Sequence, residues 1–268
     1  MNYNGIYYKI NDFQQNRLTL VFVHGISGSS SAWSEYEKEF EKKYNVLCFD
    51  LRGHGKSIKP RNYEDYEIKH FVQDIYDLIT YLNIKKFILI SHSFGTLIAL
   101  EFLTKYQNLT DAAVFLSPSF SLNKRGVARF FKPLIKFLRI IDFLPFSSSP
   151  GNHIDYSNYQ NTGDWNIKRT IADIHNTSLR VYLYCFKQVY KIDHENFLGK
   201  IKIPVLIVHG KNDTIFPVEN SIIMAQKIKN SILIILNNTD HIIVLNNFID
   251  VSKAIENFIC NISKTKTL

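Results

Sequence analysis

The sequence predicts an α/β protein with a mostly parallel central sheet and helices on both of its faces. Short apolar runs alternate with segments of helical periodicity, and these runs are apolar throughout. Continuous apolarity is typical of parallel strands that are buried on both faces. The alternation stops after residue 118 and resumes near residue 200. We therefore expect a core formed by residues 1–118 and 200–268, and an inserted helical cap, or lid, formed by residues 119–199.

The first part of the core is predicted to contain five strands and three helices. Each strand is a short apolar run, and each helix places its apolar residues on one face. The strands are assigned to residues 3–10, 17–23, 45–49, 87–90 and 112–116, and the helices to residues 32–44, 66–82 and 96–106. Ser31 is the expected N-cap of the first helix, because its hydroxyl can accept a hydrogen bond from the first helical turn.

The pattern resumes after the cap. Strands are assigned to residues 205–209 and 232–236, and helices to residues 218–229 and 247–262. The cap itself shows no clear strand and is rich in aromatic and basic residues. Within it, residues 129–146 place basic and apolar residues on different faces of one helix, which predicts an amphipathic helix that lies over the site.

A candidate nucleophile lies between a predicted strand and a predicted helix. The turn Ser91-His-Ser-Phe-Gly95 follows an apolar run, and such a turn exposes the hydroxyl of its central residue, Ser93, at the end of a sheet. The backbone N–H of Phe94 is left at the helix N-terminus, where it can stabilise an oxyanion. Ser91 replaces the glycine of the usual pattern. Alone, these five residues are equally compatible with a turn that has no chemistry.

A serine nucleophile needs a base and a carboxylate that orients the base. His241 follows the strand at 232–236, and Asp213 follows the strand at 205–209. Parallel strands end at the same edge of a sheet, so Ser93, Asp213 and His241 are expected to converge there as a catalytic triad. Asp240 adjoins His241 and is an alternative acid. We favour Asp213, because neighbouring side chains of an extended loop point apart.

The second oxyanion donor is expected from the loop that begins at His24 and Gly25. The donor is the backbone N–H of Ile26, and the oxyanion hole then consists of Ile26 and Phe94. Glycines in this loop let the backbone approach a reacting carbonyl closely. His24, Gly25 and Gly95 are the expected supporting residues.

Several neighbouring polar residues are interpreted as structural. Asp50, Arg52 and His54 are expected to shape the site through buried hydrogen bonds. His209 is expected to support the loop of Asp213. His92 is expected to point away from Ser93, because it precedes Ser93 directly in the chain.

Taken together, these motifs resemble the α/β-hydrolase superfamily, of the capped esterase, lipase and C–C hydrolase type. The matching segments are His24-Gly-Ile-Ser-Gly-Ser29 with Trp33, Asp50-Leu-Arg-Gly-His-Gly-Lys-Ser57, Ser91-His-Ser-Phe-Gly95, Val208-His-Gly-Lys-Asn-Asp213 with Pro217, and Asp240-His241. They span residues 20–118 and 203–262. The cap matches no pattern in this resemblance. The family hosts many chemistries, so the resemblance implies a reaction type rather than a substrate.

The expected activity is hydrolysis of a carboxylic ester or thioester with an apolar acyl part, through an acyl-enzyme at Ser93. This mechanism needs no cofactor. One alternative is a C–C bond hydrolase, and another is a ligand-sensing binding protein that retains the triad. A peptidase that binds a free amine is less favoured, because it would need acidic residues in the cap at positions that the sequence does not place. The acidic candidates in the cap are Asp155, Asp164, Asp173, Asp193 and Glu195.

The positive charge is concentrated in the middle of the chain. The formal net charge is +8, and residues 119–200 contain 12 Lys and Arg against 6 Asp and Glu. No nucleic-acid-binding motif accompanies this charge, so the expected partner is a small apolar ester-like molecule and not a nucleic acid. The basic cap helix is also compatible with peripheral contact with an anionic membrane, or with attraction of an anionic substrate.

The remaining sequence features favour a cytoplasmic protein. The three cysteines, Cys48, Cys185 and Cys260, are odd in number and lack metal-ligand spacing, which indicates reduced thiols and no metal site. The sequence has neither a signal-peptide pattern at its N-terminus nor an apolar run of the ~18 residues that a membrane-spanning helix needs.

Overall fold

The computed structural model of the chain describes residues 1–121, 138–144 and 146–266. They form an eight-stranded sheet in the order β1-β2-β4-β3-β5-β6-β7-β8. The strands are Asn2–Tyr3 (β1), Ile6–Ile10 (β2), Thr19–Val23 (β3), Asn45–Phe49 (β4), Phe87–His92 (β5), Thr110–Leu116 (β6), Val205–Gly210 (β7) and Ser231–Leu236 (β8). Strands β3 to β8 are parallel, and β1 and β2 are antiparallel. The predicted fold class is confirmed.

Helices cover both faces of this sheet. They are Ser34–Phe40 (α1), Ile68–Tyr81 (α2), Phe94–Tyr106 (α3), Ile167–Thr177 (α4), Leu179–Val189 (α5), Glu195–Leu198 (α6), Glu219–Lys227 (α7), Ile243–Asn246 (α8) and Phe248–Lys266 (α9). Neighbouring residues of a strand point to opposite faces. Accordingly, Leu20 and Phe22 pack with α1 and α9, while Val21 and Val23 pack with α2 and α3. These two apolar layers fix the strand ends from which the site residues extend.

The N-terminus differs from its prediction as a single strand. Strands β1 and β2 form an antiparallel hairpin in which Tyr3 pairs with Ile6. The connecting residues Asn4 and Gly5 both have positive φ angles, 48° and 82°. Asn-Gly is the preferred pair for such a two-residue turn, because both residues tolerate the left-handed region. The Asn4-Gly5 pair is therefore a local signal for a hairpin, which the prediction of one strand over residues 3–10 does not take into account.

The first helix also begins later than predicted. Residues Ser30–Trp33 form a 3-10 turn, and α1 follows from Ser34. Ser31 does not cap the helix. Its hydroxyl donates instead to the backbone carbonyl of Ile154 in the segment between β6 and β7, at 2.8 Å.

The segment between β6 and β7, called the insertion below, contains α4, α5 and α6 among its described residues. An isolated bridge between Ser121 and Asp193 joins its two ends. The predicted amphipathic helix over residues 129–146 falls mostly outside the described residues, and residues Leu138–Phe143 at its end form a 3-10 helix. The domain boundaries at 119 and 199, and the membrane contact of the basic cap, stay predictions. Among the described residues, no helix combines the length and apolarity needed to cross a membrane.

Candidate active site

Ser93 occupies a strained turn between β5 and α3. Its backbone has φ 53° and ψ −118°, a conformation that side-chain-bearing residues rarely adopt and that costs about 1–3 kcal/mol. The turn is held because the Ser93 N–H donates to the carbonyl of Leu116 on β6, at 3.1 Å. Strain that the surrounding structure maintains is characteristic of functional sites.

Small residues on both sides make this turn sterically feasible. A Cβ atom at Gly95 would lie 2.6 Å from the carbonyl oxygen of His24 and 2.7 Å from that of Val23, so only glycine fits against β3. Ser91 is fully buried, and its hydroxyl lies 3.3 Å from the hydroxyl of Thr96. A small residue is sufficient there, which explains why serine can replace the usual glycine.

The three sequence-predicted residues Ser93, His241 and Asp213 form a continuous hydrogen-bonded relay. The Ser93 hydroxyl lies 2.8 Å from Nε2 of His241, and Nδ1 of His241 lies 2.7 Å from Oδ2 of Asp213. In this arrangement Nδ1–H donates to the carboxylate, which leaves Nε2 free to accept the serine proton. Ser93 and His241 are each 5% exposed, so the relay is nearly closed to water.

Asp213 is held as a carboxylate by its surroundings. Oδ1 accepts hydrogen bonds from the N–H groups of Ile215 and Phe216, at 2.9 and 2.8 Å. Nε2 of His209 lies 3.2 Å from Oδ2. Burial by itself would raise the pKa of Asp213, but the charge that His241 can carry and the hydrogen bonds from both histidines lower this pKa well below its usual value.

Asp240, the alternative acid, has different partners. It accepts hydrogen bonds from the N–H of Ile242, at 2.9 Å, and from the side chain of Asn246. These contacts stabilise the turn that precedes α8. The carboxylate that meets the imidazole of His241 is that of Asp213.

His92, which the sequence predicts only as a structural residue that points away from Ser93, contacts the backbone of His241. Its Nε2 donates to the backbone carbonyl of His241, at 2.9 Å, and its ring lies 5.1 Å from the ring of His241. Burial and the charge of His241 lower the pKa of His92 to about 3, so the ring is neutral near pH 7. No local sequence pattern signals this contact, because it joins residues 149 positions apart.

The loop after β3 lies directly against the elbow. Nδ1 of His24 donates to the carbonyl of Gly25, at 2.8 Å, and Nε2 accepts from the N–H of Leu51, at 3.0 Å. A Cβ atom at Gly25 would lie 3.3 Å from Cβ of Ser93. Ile26 and Phe94 both line the cavity beside Ser93, and the Phe94 N–H stands at the start of α3, where it has no intrahelical acceptor. Their assignment as oxyanion donors stays a prediction.

Asp50 joins three segments beneath this loop. Its fully buried carboxylate accepts from the N–H groups of Ser30 and Lys56, at 2.7 and 2.8 Å, and it pairs with His153 of the insertion at 2.8 Å. Burial opposes ionisation, but the bond from His153 and the nearby histidine charges lower the pKa of Asp50 to about 2. Arg52 pairs separately with Asp74. These contacts shape the loops around the site.

A cavity of about 270 Å³ lies above Ser93, near the lower end of the ~300–1,000 Å³ range of small-molecule pockets. Its walls combine the core with the insertion. The apolar part of the lining includes Ile215, Phe216, Val244, Leu245, Tyr182, Phe186 and Val189. Polar side chains also line the cavity, Asp164 and Asp173 among them. Oδ1 of Asp173 accepts a hydrogen bond from the Tyr156 hydroxyl at 2.8 Å. Burial raises the pKa of Asp173 to about 6.

Comparisons with known proteins agree with this architecture. A family model described as "alpha/beta hydrolase fold" matches residues 19–248. The chain is 27% identical over 224 residues to Putative esterase/lipase 2 of Mycoplasma pneumoniae, covering 78% of this chain and 76% of that protein. It is 26% identical over 216 residues to Epoxide hydrolase 3 of Mus musculus, covering 74% of this chain and 58% of that protein.

Two further comparisons set the limits of the similarity. An uncharacterized protein of Mycobacterium bovis is 30% identical over 98 residues, which is 37% of this chain and 28% of that relative. The chain therefore spans less than two thirds of that relative's length. The structure of olei00960, a hydrolase from Oleispira antarctica, superposes with a TM-score of 0.77 at 20% identity, over 95% of this chain and 94% of that one. At this identity the likeness shows the fold.

Proposed function

The chain belongs to the α/β-hydrolase fold family, and from this premise we propose that it is a serine hydrolase that cleaves carboxylic esters or thioesters with an apolar acyl part. The observation that carries the proposal is the relay from Ser93 through His241 to Asp213, with hydrogen bonds of 2.8 and 2.7 Å. Similarity to a putative esterase/lipase adds support for the reaction class.

The reaction begins with attack of the Ser93 hydroxyl on the substrate carbonyl. His241 accepts the hydroxyl proton, and Asp213 keeps the imidazole in the tautomer that can do so. The carbonyl oxygen becomes an oxyanion, which the N–H groups of Ile26 and Phe94 stabilise. The tetrahedral intermediate then expels the alcohol or thiol, which receives the proton from His241. Water, activated by the same imidazole, finally releases the acid from Ser93.

The composition of the cavity supports the choice of acyl part. Aliphatic and aromatic side chains form most of its lining. Contact between these side chains and an apolar acyl chain is favourable, because both surfaces leave water. The modest volume favours a short acyl group. A thioester fits the same cavity, because the leaving atom changes while the acyl part does not.

Replacement of the nucleophile tests the proposal. We expect Ser93→Ala to lower kcat for p-nitrophenyl butyrate by about 10⁴-fold or more, because the relay loses its attacking atom. The change removes one buried oxygen, so the circular dichroism spectrum and Tm should stay close to those of the parent chain. Undiminished turnover by the folded variant would contradict the mechanism. A parent chain that cleaves a C–C-bonded diketone but no ester would contradict the proposed substrate class.

A further inference from the structure

Asp164 of the insertion contacts both loops that carry His241 and Asp213. Its Oδ1 accepts a hydrogen bond from the backbone N–H of His241, at 2.7 Å. Its Oδ2 accepts from the N–H of Thr214, at 2.9 Å, and from the hydroxyl of Thr214, at 2.6 Å. Thr214 directly follows Asp213 in the chain. One carboxylate therefore bridges the loop of the acid and the loop of the base.

The backbone that carries Asp164 is itself firmly held. Arg169 of α4 is only 4% exposed, and its guanidinium donates to the carbonyls of Gly163 and Asp164 and to the hydroxyl of Thr162. The indole N–H of Trp165 donates to the Thr214 hydroxyl, at 2.9 Å. Because both the backbone and the carboxylate of Asp164 are held by hydrogen bonds, Asp164 can fix the positions of the groups that it contacts.

A second contact joins the same part of the insertion to the His241 loop. The side-chain amide of Asn246, at the end of α8, donates to the carbonyl of Thr162 at 3.0 Å and accepts from the N–H of Asn161 at 2.9 Å. Residues 161–165 thus contact His241 itself, Asn246 at the end of α8, and Thr214 beside Asp213. They form a structured interface with the core.

The backbone of His241 is hydrogen-bonded on both of its peptide groups. His92 of the core donates to the carbonyl of His241, and Asp164 of the insertion accepts from its N–H. These two backbone bonds fix the main chain of His241. From that fixed position, one orientation of the imidazole must place Nε2 near Ser93 and Nδ1 near Asp213. Displacement of a catalytic group by ~1 Å can cost about 10²-fold in rate.

We infer that Asp164 is a positioning residue for the proposed reaction, which sets His241 relative to Asp213 and makes seating of the insertion a condition for a complete relay. The inference rests on the proposed serine-hydrolase function and goes beyond it, because a residue outside the predicted core takes part in arranging the relay. Asp164 does not need to touch the reacting atoms for this role.

Two substitutions of Asp164 and one matched control test the inference with p-nitrophenyl butyrate. Asp164→Ala removes all three acceptor contacts, and we expect kcat to fall by about 10²-fold. Asp164→Asn keeps the size and one acceptor oxygen, so kcat should fall by about tenfold, a partial rescue. In both variants KM should change by less than about threefold, because Asp164 is one of many residues that line the cavity and the others stay in place. The control is Asp155→Asn, an exposed residue of the same insertion, which should keep parental kcat.

The outcomes separate this inference from the proposed function. If Ser93→Ala is inactive while Asp164→Ala keeps kcat within about twofold, or changes KM alone, the positioning role is refuted and the serine mechanism stands. If Ser93→Ala stays active, the mechanism fails and the inference fails with it. If Asp164→Ala does not melt cooperatively, Asp164→Asn decides. A loss of kcat at unchanged Tm supports the role, and an unchanged kcat refutes it.

Discussion

At the scale of single residues, two buried carboxyl groups near the cavity have pKa values that are shifted in opposite directions. The pKa of Asp213 stays well below its usual value, because the charge that His241 can carry and the hydrogen bonds from His209 and His241 outweigh the cost of burial. Asp173 accepts a hydrogen bond from the Tyr156 hydroxyl, and burial raises its pKa to about 6. One group is therefore kept ionised for the relay, while the other titrates close to neutrality.

This difference predicts a pH-dependent stability effect at Asp173. Its folded-state pKa, about 6, lies above the usual 3.8, so ionisation destabilises the folded state as pH rises through that interval. Asp173→Asn keeps an acceptor for Tyr156 and carries no charge. We expect its Tm to exceed that of the parent by about 2–4 °C at pH 8, an effect of ~1 kcal/mol once partial solvent contact is allowed for.

Thermal melts at pH 4.5 and pH 8 check this expectation. The Tm difference should shrink at pH 4.5, where the parent carboxyl is largely protonated in the folded state. Asp155→Asn is the control, because the pKa of exposed Asp155 is lowered by its bonds to Ser157 and its replacement should not stabilise the chain at pH 8. A Tm difference for Asp173→Asn that is equal at both pH values would mean that charge burial is not the cause.

At the scale of secondary-structure elements, the approach of α3 to β3 determines whether the elbow can form. Gly95 lies in the first turn of α3, against the last residues of β3. Of the two backbone carbonyls that a Cβ atom would meet there, one belongs to Val23, the last residue of β3, and the other to His24, which directly follows it. The Val23 carbonyl cannot move without disturbing the pairing of β3 with β5. The strained turn at Ser93 and the tight contact at Gly95 are thus parts of one arrangement.

Gly95→Ala is expected to destabilise the protein and to impair the site together. The added methyl must push α3 away from β3, which costs about 1–3 kcal/mol in a well-packed core. We expect a Tm loss of several degrees, and a kcat loss larger than the small change in folded fraction explains. Gly199→Ala is the matched control, because its nearest neighbour would lie at an ordinary 3.8 Å. Parental Tm and kcat in Gly95→Ala would contradict this account of the elbow.

At the scale of the whole molecule, the cavity exists only where the insertion meets the core. Ile215, Phe216, Val244 and Leu245 come from loops and a short helix of the core, whereas the aromatic residues of α5 come from the insertion. Phe186 of α5 lines the cavity and packs between Tyr182 and Tyr190. The length of acyl chain that fits should therefore depend on residues of the insertion, although the relay belongs to the core.

Phe186→Ala tests whether the insertion limits the length of the acyl chain. The smaller side chain enlarges the cavity, so we expect the ratio of kcat/KM for an octanoyl ester to that for a butanoyl ester to rise by about tenfold, a typical effect of pocket size. Leu183→Ala on the same helix is the control, because Leu183 packs against the core cluster and is absent from the cavity lining. An unchanged chain-length ratio in Phe186→Ala would show that other residues limit the acyl part.

The sequence by itself determined the fold class, because continuous apolar strands and one-sided apolar helices are local patterns that burial imposes directly. It also brought Ser93, Asp213 and His241 to one edge, because parallel strands share the direction in which they end. Their contacts of 2.8 and 2.7 Å agree with that expectation, while their catalytic roles stay proposals. Local signals also failed where two structures compete, as at Ser31, whose hydroxyl bonds Ile154 instead of a helix end.

Only the tertiary structure decided how the relay is held and what encloses it. The bond from His92 to His241 joins residues 149 positions apart, and the bond from His241 to Asp164 joins residues 77 positions apart. Such contacts leave no periodic pattern, because they depend on where loops meet after the sheet has assembled. The meeting of loops in the assembled fold also gives the acidic residues of the insertion different roles. In the sequence they are equivalent candidates, but in the fold Asp164 bonds the His241 loop and Asp173 titrates inside the cavity.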